Sequence, residues 1–194
     1  MLSTCASSDV WPCGDSRVYA SGHGSRGGFM RVVPSLEALF RVSHNAISTL
    51  IPEVCQALID ELSPEVIQPP VTEDEWLEVA AAFHQKWNFP HCLGAVDGKH
   101  IHIQCPPGGG SEFYNYKRFH SIIMLAMCDA NYVIRWMNIG ASGSHSDAQL
   151  FNRSELQRVL DNNIAKVPQP RPLPGTQDSM PFFVIADDAF PLKT

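Results

Sequence analysis

The sequence predicts an α/β fold, a mixed sheet preceded by an α-helical N-terminal region. Three observations predict it. Apolar residues recur at helical spacing between Ser35 and Asn88. Short apolar runs bounded by turn residues take over after Pro90. Those later runs come in the order strand, strand, strand, helix, strand.

Residues 1–34 are rich in Gly, Ser and Cys without a sustained period, and they read as an unstructured N-terminal segment. Residues 35–88 read as a helical region. Ser35 can cap a short helix through Phe40. Ser43 opens a second helix to about Leu62, with Ile47, Leu50, Ile51, Val54, Leu58 and Ile59 along one face. Two helices joined by a tight polar turn give a helix-turn-helix-like unit or a helical hairpin that only packs. Pro64 to Pro70 reads as a linker. Thr72-Glu73-Asp74-Glu75 is a strong helix start, with a Thr cap, acids in the first turn and Glu75 at the capping-box position. That helix ends before Asn88-Phe89-Pro90.

Residues 89–194 carry the strands. Leu93 to Val96 and Ile101 to Ile103 flank Asp97-Gly98-Lys99-His100. Cys105 to Ser111 is a Pro/Gly loop, and Ser121 to Cys128 is a second strand. Asp129-Ala130-Asn131 suits a turn, so a third strand from Tyr132 to Ile139 makes a hairpin. Ser146 to Leu160 reads as a helix, and Asn162 to Met180 as a Pro-rich connection. Pro181 to Ala186 is a compact apolar strand that ends in Asp187-Asp188. This order opens the ribonuclease-H-like fold, in which the fourth strand lies parallel to the first. The chain therefore reads as an incomplete ribonuclease-H-like sheet, its first four strands only.

The bulk numbers fit. With 44% hydrophobic and 18% charged residues, the 194-residue chain can bury a core. A net charge of −6 argues against a general nucleic-acid coat and leaves room for a local basic face. The six cysteines have no Cys-x-x-Cys spacing, so no zinc ribbon is indicated, and they read as reduced thiols of an intracellular protein. No run approaches the ~20 apolar residues of a membrane span.

Asp97 and Asp187 each follow an apolar run. A carboxylate at the end of a buried strand is costly unless it is paired or binds a metal. On neighbouring strands the two acids would share one site, and carboxylate oxygens suit Mg²⁺ or Mn²⁺. Two such ions about 3.5–4 Å apart could activate a water and stabilise the leaving oxygen of a phosphodiester. The competing reading makes Asp97-Gly98 a turn dipeptide and Asp187-Asp188 a solvated loop. His100 and His102 share a strand face, as metal ligands or as ordinary surface histidines. Ser142, Ser144 and Ser146 lack an evident His-Asp set for nucleophilic chemistry.

The strings themselves carry a resemblance. Trp87-Asn-Phe-Pro-His-Cys-Leu-Gly-Ala-Val-Asp-Gly-Lys-His100 resembles the block around the first catalytic acid of the PIF/Harbinger transposases. Gly110-Ser-Glu-Phe-Tyr-Asn-Tyr-Lys117 with Phe119-His-Ser121 resembles the next block. Asp129-Ala-Asn-Tyr132 and Gly143-Ser-His-Ser-Asp147 with Phe151 resemble the third, and Val184-Ile-Ala-Asp-Asp-Ala-Phe-Pro-Leu192 the block of the second acid. The resemblance runs from about Phe40 to the end of the chain. It implies a DDE-type nuclease of the Harbinger, transposase-derived kind, with a divalent-metal site on a ribonuclease-H-like fold. Residues 89–194 are then a partial nuclease domain.

By position, Asp97 is the first catalytic acid and metal ligand, and Asp187 the second. Asp188 is the fallback one residue on, and Asp147 matches a recurrent aspartate at a helix start, an accessory to the site. Lys99, Lys117 and Arg118 are candidate phosphate contacts. The family's third acid lies downstream of the second, beyond Thr194, so the resemblance implies a C-terminally truncated domain with impaired cleavage. The implied partners are DNA and a Myb-like DNA-binding protein, with no membrane, and the implied location is the nucleus, with the cytoplasm second. A non-catalytic DNA- or protein-binding remnant of a domesticated transposase is the alternative.

Overall fold

A computed structural model describes residues 34–190, so the expectation for the N-terminal segment lies almost wholly outside the described residues. Helix α1 spans 34–40, and a three-residue turn, with Arg41 at φ 53°, leads into α2, His44–Val66. The Ser43 hydroxyl accepts the Ala46 N–H at 3.4 Å and caps α2. The helix outruns its expected end at Leu62 and contains Pro52 and Pro64. Pro64 supplies no N–H to the ladder, but the Ile67 N–H reaches the Ser63 carbonyl at 2.9 Å and closes the next turn. Of the apolar residues in α2, Ile47 is buried, while Leu50, Val54, Leu58 and Leu62 are exposed.

Helix α3, Glu73–Trp87, carries the capping box its sequence predicts. The Thr72 hydroxyl accepts the Glu75 N–H at 3.3 Å, and the Glu75 carboxylate accepts the Thr72 N–H at 3.1 Å. Trp76 and Ala80 on its inner face join the main core with Leu93, Val96, Leu125, Met127, Leu156 and Val159. The fully buried Trp76 ring also donates its indole N–H to the Ala165 carbonyl at 2.7 Å.

The sheet has the order β3-β2-β1-β6. Strand β1 is Cys92–His102, β2 is Ser121–Cys128 and β3 is Ile134–Ser142; β1 and β3 both run antiparallel to β2. Helices α4, Asp147–Arg153, and α5, Glu155–Asp161, follow. A small hairpin, β4 Arg171–Pro172 with β5 Ser179–Met180, precedes β6, Phe183–Ile185. Strand β6 pairs parallel with β1, the neighbour relation expected from the element order. The result is a mixed α/β protein.

Four expectations are corrected. Strand β1 is continuous, so Asp97-Gly98 is no turn. Each residue from Ala95 to His102 finds a partner on β2, and a full ladder outweighs the local turn preference. Strand β3 begins and ends later than expected. Asp129 and Val133 close the turn with an N–H to carbonyl bond of 3.0 Å, and at the other end the ladder continues through Ala141 and Ser142. Gly140, at φ 117°, sits in a register shift between the Ile139–Met124 and Ala141–Ile123 pairs, a bulge that a side chain would oppose. The helix expected over 146–160 is two helices, because Ser154 ends α4 and caps α5, its hydroxyl accepting the Gln157 N–H at 3.1 Å. The Pro-rich connection contains the β4–β5 hairpin.

Successive residues of a strand point to opposite faces, and directly paired residues share a face. On β2, Ser121, Ile123, Leu125 and Met127 are buried, while Ile122, Met124, Ala126 and Cys128 are half-buried. Val96, Gly98 and His100 lie on the buried side, paired with Met127, Leu125 and Ile123. Asp97 and Lys99 lie on the other side, paired with Ala126 and Met124.

Candidate functional site

Asp97 sits in the middle of β1, and its carboxylate folds back to accept the Gly98 N–H at 2.8 Å. The parallel pairing aligns Ala95 with Ile185. Asp97 and Asp187 each stand two residues beyond that pair, which is the last of the parallel ladder. Asp187 has left the ladder. Its carboxylate accepts the Ala189 N–H at 3.1 Å, and its carbonyl accepts the Phe190 N–H at 3.2 Å, forming a tight turn. Asp188 falls one residue further into that turn.

Asp147 is the first residue of α4, behind a Ser146 and Gln149 capping box. Its carboxyl group lies directly over Gly98, in space that any side chain at 98 would fill. One of its oxygens, Oδ1, is buried without a hydrogen-bond partner. Burial pushes the Asp147 carboxyl upward, and the nearby charges of Asp187 and Asp97 push the same way, against His100 and Lys117. Asp97 and Asp187 thus both lie close enough to Asp147 to act on its charge. Among the described residues, no three His, Cys, Asp or Glu side chains form a ready-made metal cluster. A cation here would draw on Asp97 and Asp187, with Asp147 as the accessory group.

The block 110–121 braces this site. Ser121, fully buried, receives two neighbours on its hydroxyl: His100 Nδ1 at 2.9 Å and the Asn115 amide at 2.8 Å. Asn115 in turn accepts the Phe119 N–H at 3.2 Å and donates its own N–H to the Phe119 carbonyl at 2.9 Å. His100 is therefore a fixed member of a polar network, and burial holds it below the usual imidazole range. His102 lies against Phe119 instead, with ring centroids 5.1 Å apart.

Of the candidate phosphate contacts, Lys117 lies close enough to act on both His100 and Asp147. Lys99 shares the face of Asp97, and Arg118 follows Lys117 in a left-handed backbone conformation, φ 67°. Lys99, Lys117 and Arg118 form no salt bridge among the described residues, unlike Arg135, Arg158 and Arg171. Ser142 does meet a histidine, with its hydroxyl 3.0 Å from His145 Nδ1, but Ser142 is buried and the pair has no carboxylate partner among the described contacts.

Sequence reasoning missed two features. The Ser121 network depends on β1 and β2 lying side by side, which no local string shows. The Asp129-Ala-Asn-Tyr block is an anchor: Trp87 donates its indole N–H to the Ala130 carbonyl at 3.0 Å and meets Tyr132 edge-on, while Lys86 bonds Asn131 at 3.2 Å. A cleft of about 380 Å³ between Gln68–Pro70, α3 and Arg135 lies against this anchor and away from Asp97, Asp147 and Asp187.

The comparisons with known proteins agree with one another. The sequence profile described as DDE superfamily endonuclease matches residues 96–194, just over half of the chain. The rat (Rattus norvegicus) protein named "Putative nuclease HARBI1" is 25% identical over 125 residues, 64% of this chain and 36% of its own length. The chain thus spans about a third of that relative. No solved structure gives a significant match.

Proposed function

The chain belongs to the DDE superfamily endonucleases, and on that premise we propose that it carries the first two acids of a divalent-metal-dependent DNA endonuclease of the Harbinger transposase type. The observation that supports this reading is the parallel register of β1 and β6, in which Asp97 and Asp187 each follow two residues after the aligned pair Ala95 and Ile185. The strand order and that parallel pair also support a ribonuclease-H-like sheet.

Endonucleases of this superfamily generally use divalent metals. The residues fit such an ion. The donors are hard carboxylate oxygens, which Mg²⁺ and Mn²⁺ prefer. Asp147 Oδ1 is a buried oxygen with no hydrogen-bond partner among the described residues, and the charges of Asp187 and Asp97 act unfavourably on that carboxyl. Asp97 and Asp187 would hold the ion, which would supply a polarised water and charge stabilisation at the phosphodiester.

The protein's own groups do the rest. By holding such an ion, Asp97 and Asp187 would fix where the scissile phosphate docks, which two carboxylates alone would repel. Asp147 adds negative potential from the opposite face. Lys99, Lys117 and Arg118 take neighbouring phosphates of the DNA strand. The nuclear location and Myb-like partner implied by the resemblance belong to the same proposal.

Nicking of supercoiled plasmid with Mn²⁺ tests it. Asp97→Asn and Asp187→Asn should each lower the nicking rate about a hundredfold to a thousandfold, the scale for removing one electrostatic group from an active site. Undiminished nicking in both variants would refute the assignment. DNA binding without any nicking by the parent chain would favour a non-catalytic remnant.

A further inference from the structure

We propose that the loop from Tyr114 to His120 is a clamp for an unpaired nucleotide. In it one base stacks on Tyr116, and the adjoining phosphates meet Lys117 and Arg118. The inference rests on the nuclease reading above and narrows its substrate to a single strand or a locally opened duplex.

Four observations carry it. First, Tyr116 is 79% exposed, the highest value among the large hydrophobic side chains described. A lone exposed ring would need no explanation. This one, however, has company: Tyr114 is also exposed, and its ring meets His120 with centroids 5.2 Å apart.

Second, the exposed ring is held. Its edge meets His100 at 5.5 Å between centroids, and His100 is pinned by Ser121. Asn115, buried to 3% exposure, closes the loop through the Phe119 backbone and the Ser121 hydroxyl, and a bridge joins Tyr114 to His120. A ring fixed before binding loses little entropy when a base lands on it.

Third, the charge is right for a nucleic-acid strand. Lys117 Nζ lies 5.3 Å from the Tyr116 ring centroid, Arg118 follows directly, and neither forms a salt bridge among the described residues. In a chain of net charge −6, two such cations on one exposed loop mark a local site for phosphate. Cations interleaved with aromatic rings are the usual platform for unpaired strands.

Fourth, the loop adjoins the acids, since Lys117 acts electrostatically on Asp147. A base held on Tyr116 would leave its neighbouring phosphates beside Lys117 and the carboxylates.

Tyr132 is the control within the molecule. It is 71% exposed, with Trp87 against its ring edge and Lys86 Nζ 5.8 Å from its ring centroid, but there the lysine also bonds Asn131. That aromatic is committed to the hairpin turn.

The test measures binding of a labelled oligothymidylate by fluorescence anisotropy, with chelator present so that nothing is cut. Tyr116→Leu should weaken binding about tenfold, within the range for losing one stacked base. Tyr116→Phe should keep wild-type affinity. Lys117→Gln should lower the slope of log affinity against log salt by about one. A duplex of equal length should bind more weakly and be indifferent to Tyr116→Leu. Wild-type affinity in Tyr116→Leu, a preference for duplex, or no affinity for the oligothymidylate would each overturn the clamp. Circular dichroism verifies that the exposed-site variants stay folded. Because the assay runs without metal, it stands apart from the nicking experiment: a failed acid site leaves the binding result intact, and the reverse holds.

Discussion

The hairpin end of the sheet and its middle each hold a shielded aspartate, and they treat it in opposite ways. At the hairpin end, Asp129 is 4% exposed and fully engaged. Its carboxylate accepts the N–H groups of Asn131 at 2.8 Å and Val133 at 3.0 Å, and it pairs with Arg135 at 2.7 Å. Burial pushes this carboxyl up, but Arg135 and the two N–H groups prevail and hold it below the usual range. Over Gly98, in the middle of β1, Asp147 faces two more acids, leaves a buried oxygen unpartnered, and is pushed upward. The contrast separates an acid used for architecture from one that the described residues leave with an oxygen unpartnered. A carboxylate that supplies its own partners fixes a turn. One left short of positive charge costs stability in a way that a bound cation could relieve.

The contrast can be tested from its strongest consequence downward. Asp129→Ala would strand two backbone donors and a guanidinium, and should destabilise the fold by about 3 kcal/mol, the scale for breaking a largely buried charge pair. Urea unfolding measures it, and a loss below about 0.5 kcal/mol would erase the architectural role. Asp147→Asn should do the reverse. Without divalent ions it should stabilise the fold by about 1 kcal/mol, a usual gain from relieving unfavourable charge. It should also shrink the rise in Tm that Mn²⁺ gives the parent chain; an Asn variant less stable than the parent in chelator would contradict the reading.

The smallest effect lies in the pH profile. The Asp147 carboxyl is raised on folding, so its contribution is fully present below the unfolded value near 4 and fades as pH climbs through the folded one. The Asp129 carboxyl is lowered, so its contribution is present above the unfolded value and fades as pH falls through the folded one. The Tm advantage of Asp147→Asn over the parent should therefore widen as pH rises from about 4 toward neutrality. A constant gap would mean that Asp147 is not shifted.

Much of the architecture was legible because its signals are local. The Thr72 capping box needs only Thr72 and Glu75, and β2 announces itself as one uninterrupted apolar run. The β3-β2-β1-β6 order followed from the succession of elements. The misreadings share a cause. Asp97-Gly98 looks like a turn until β2 lies beside it, and Ser154 looks compatible with one helix until its hydroxyl captures the Gln157 N–H. Within the site, the strings single out Asp97 and Asp187, while the register of the parallel β1 and β6 pairing that precedes both shows only in the fold. The strain on Asp147 could not be foreseen, because it arises from burial and from the charges of Asp187 and Asp97, groups up to fifty residues away.

Gly98 has a consequence that reaches beyond its own position. The missing methyl group sets how closely the first turn of α4 can settle on β1. Further along α4, the Phe151 ring meets Phe190 edge-on at 5.6 Å, and Phe190 closes the turn that begins at Asp187. A single added carbon at 98 would therefore act as a wedge. It would pry Asp147 from the strand and, through the paired phenylalanines, transmit the displacement to an acid it never touches.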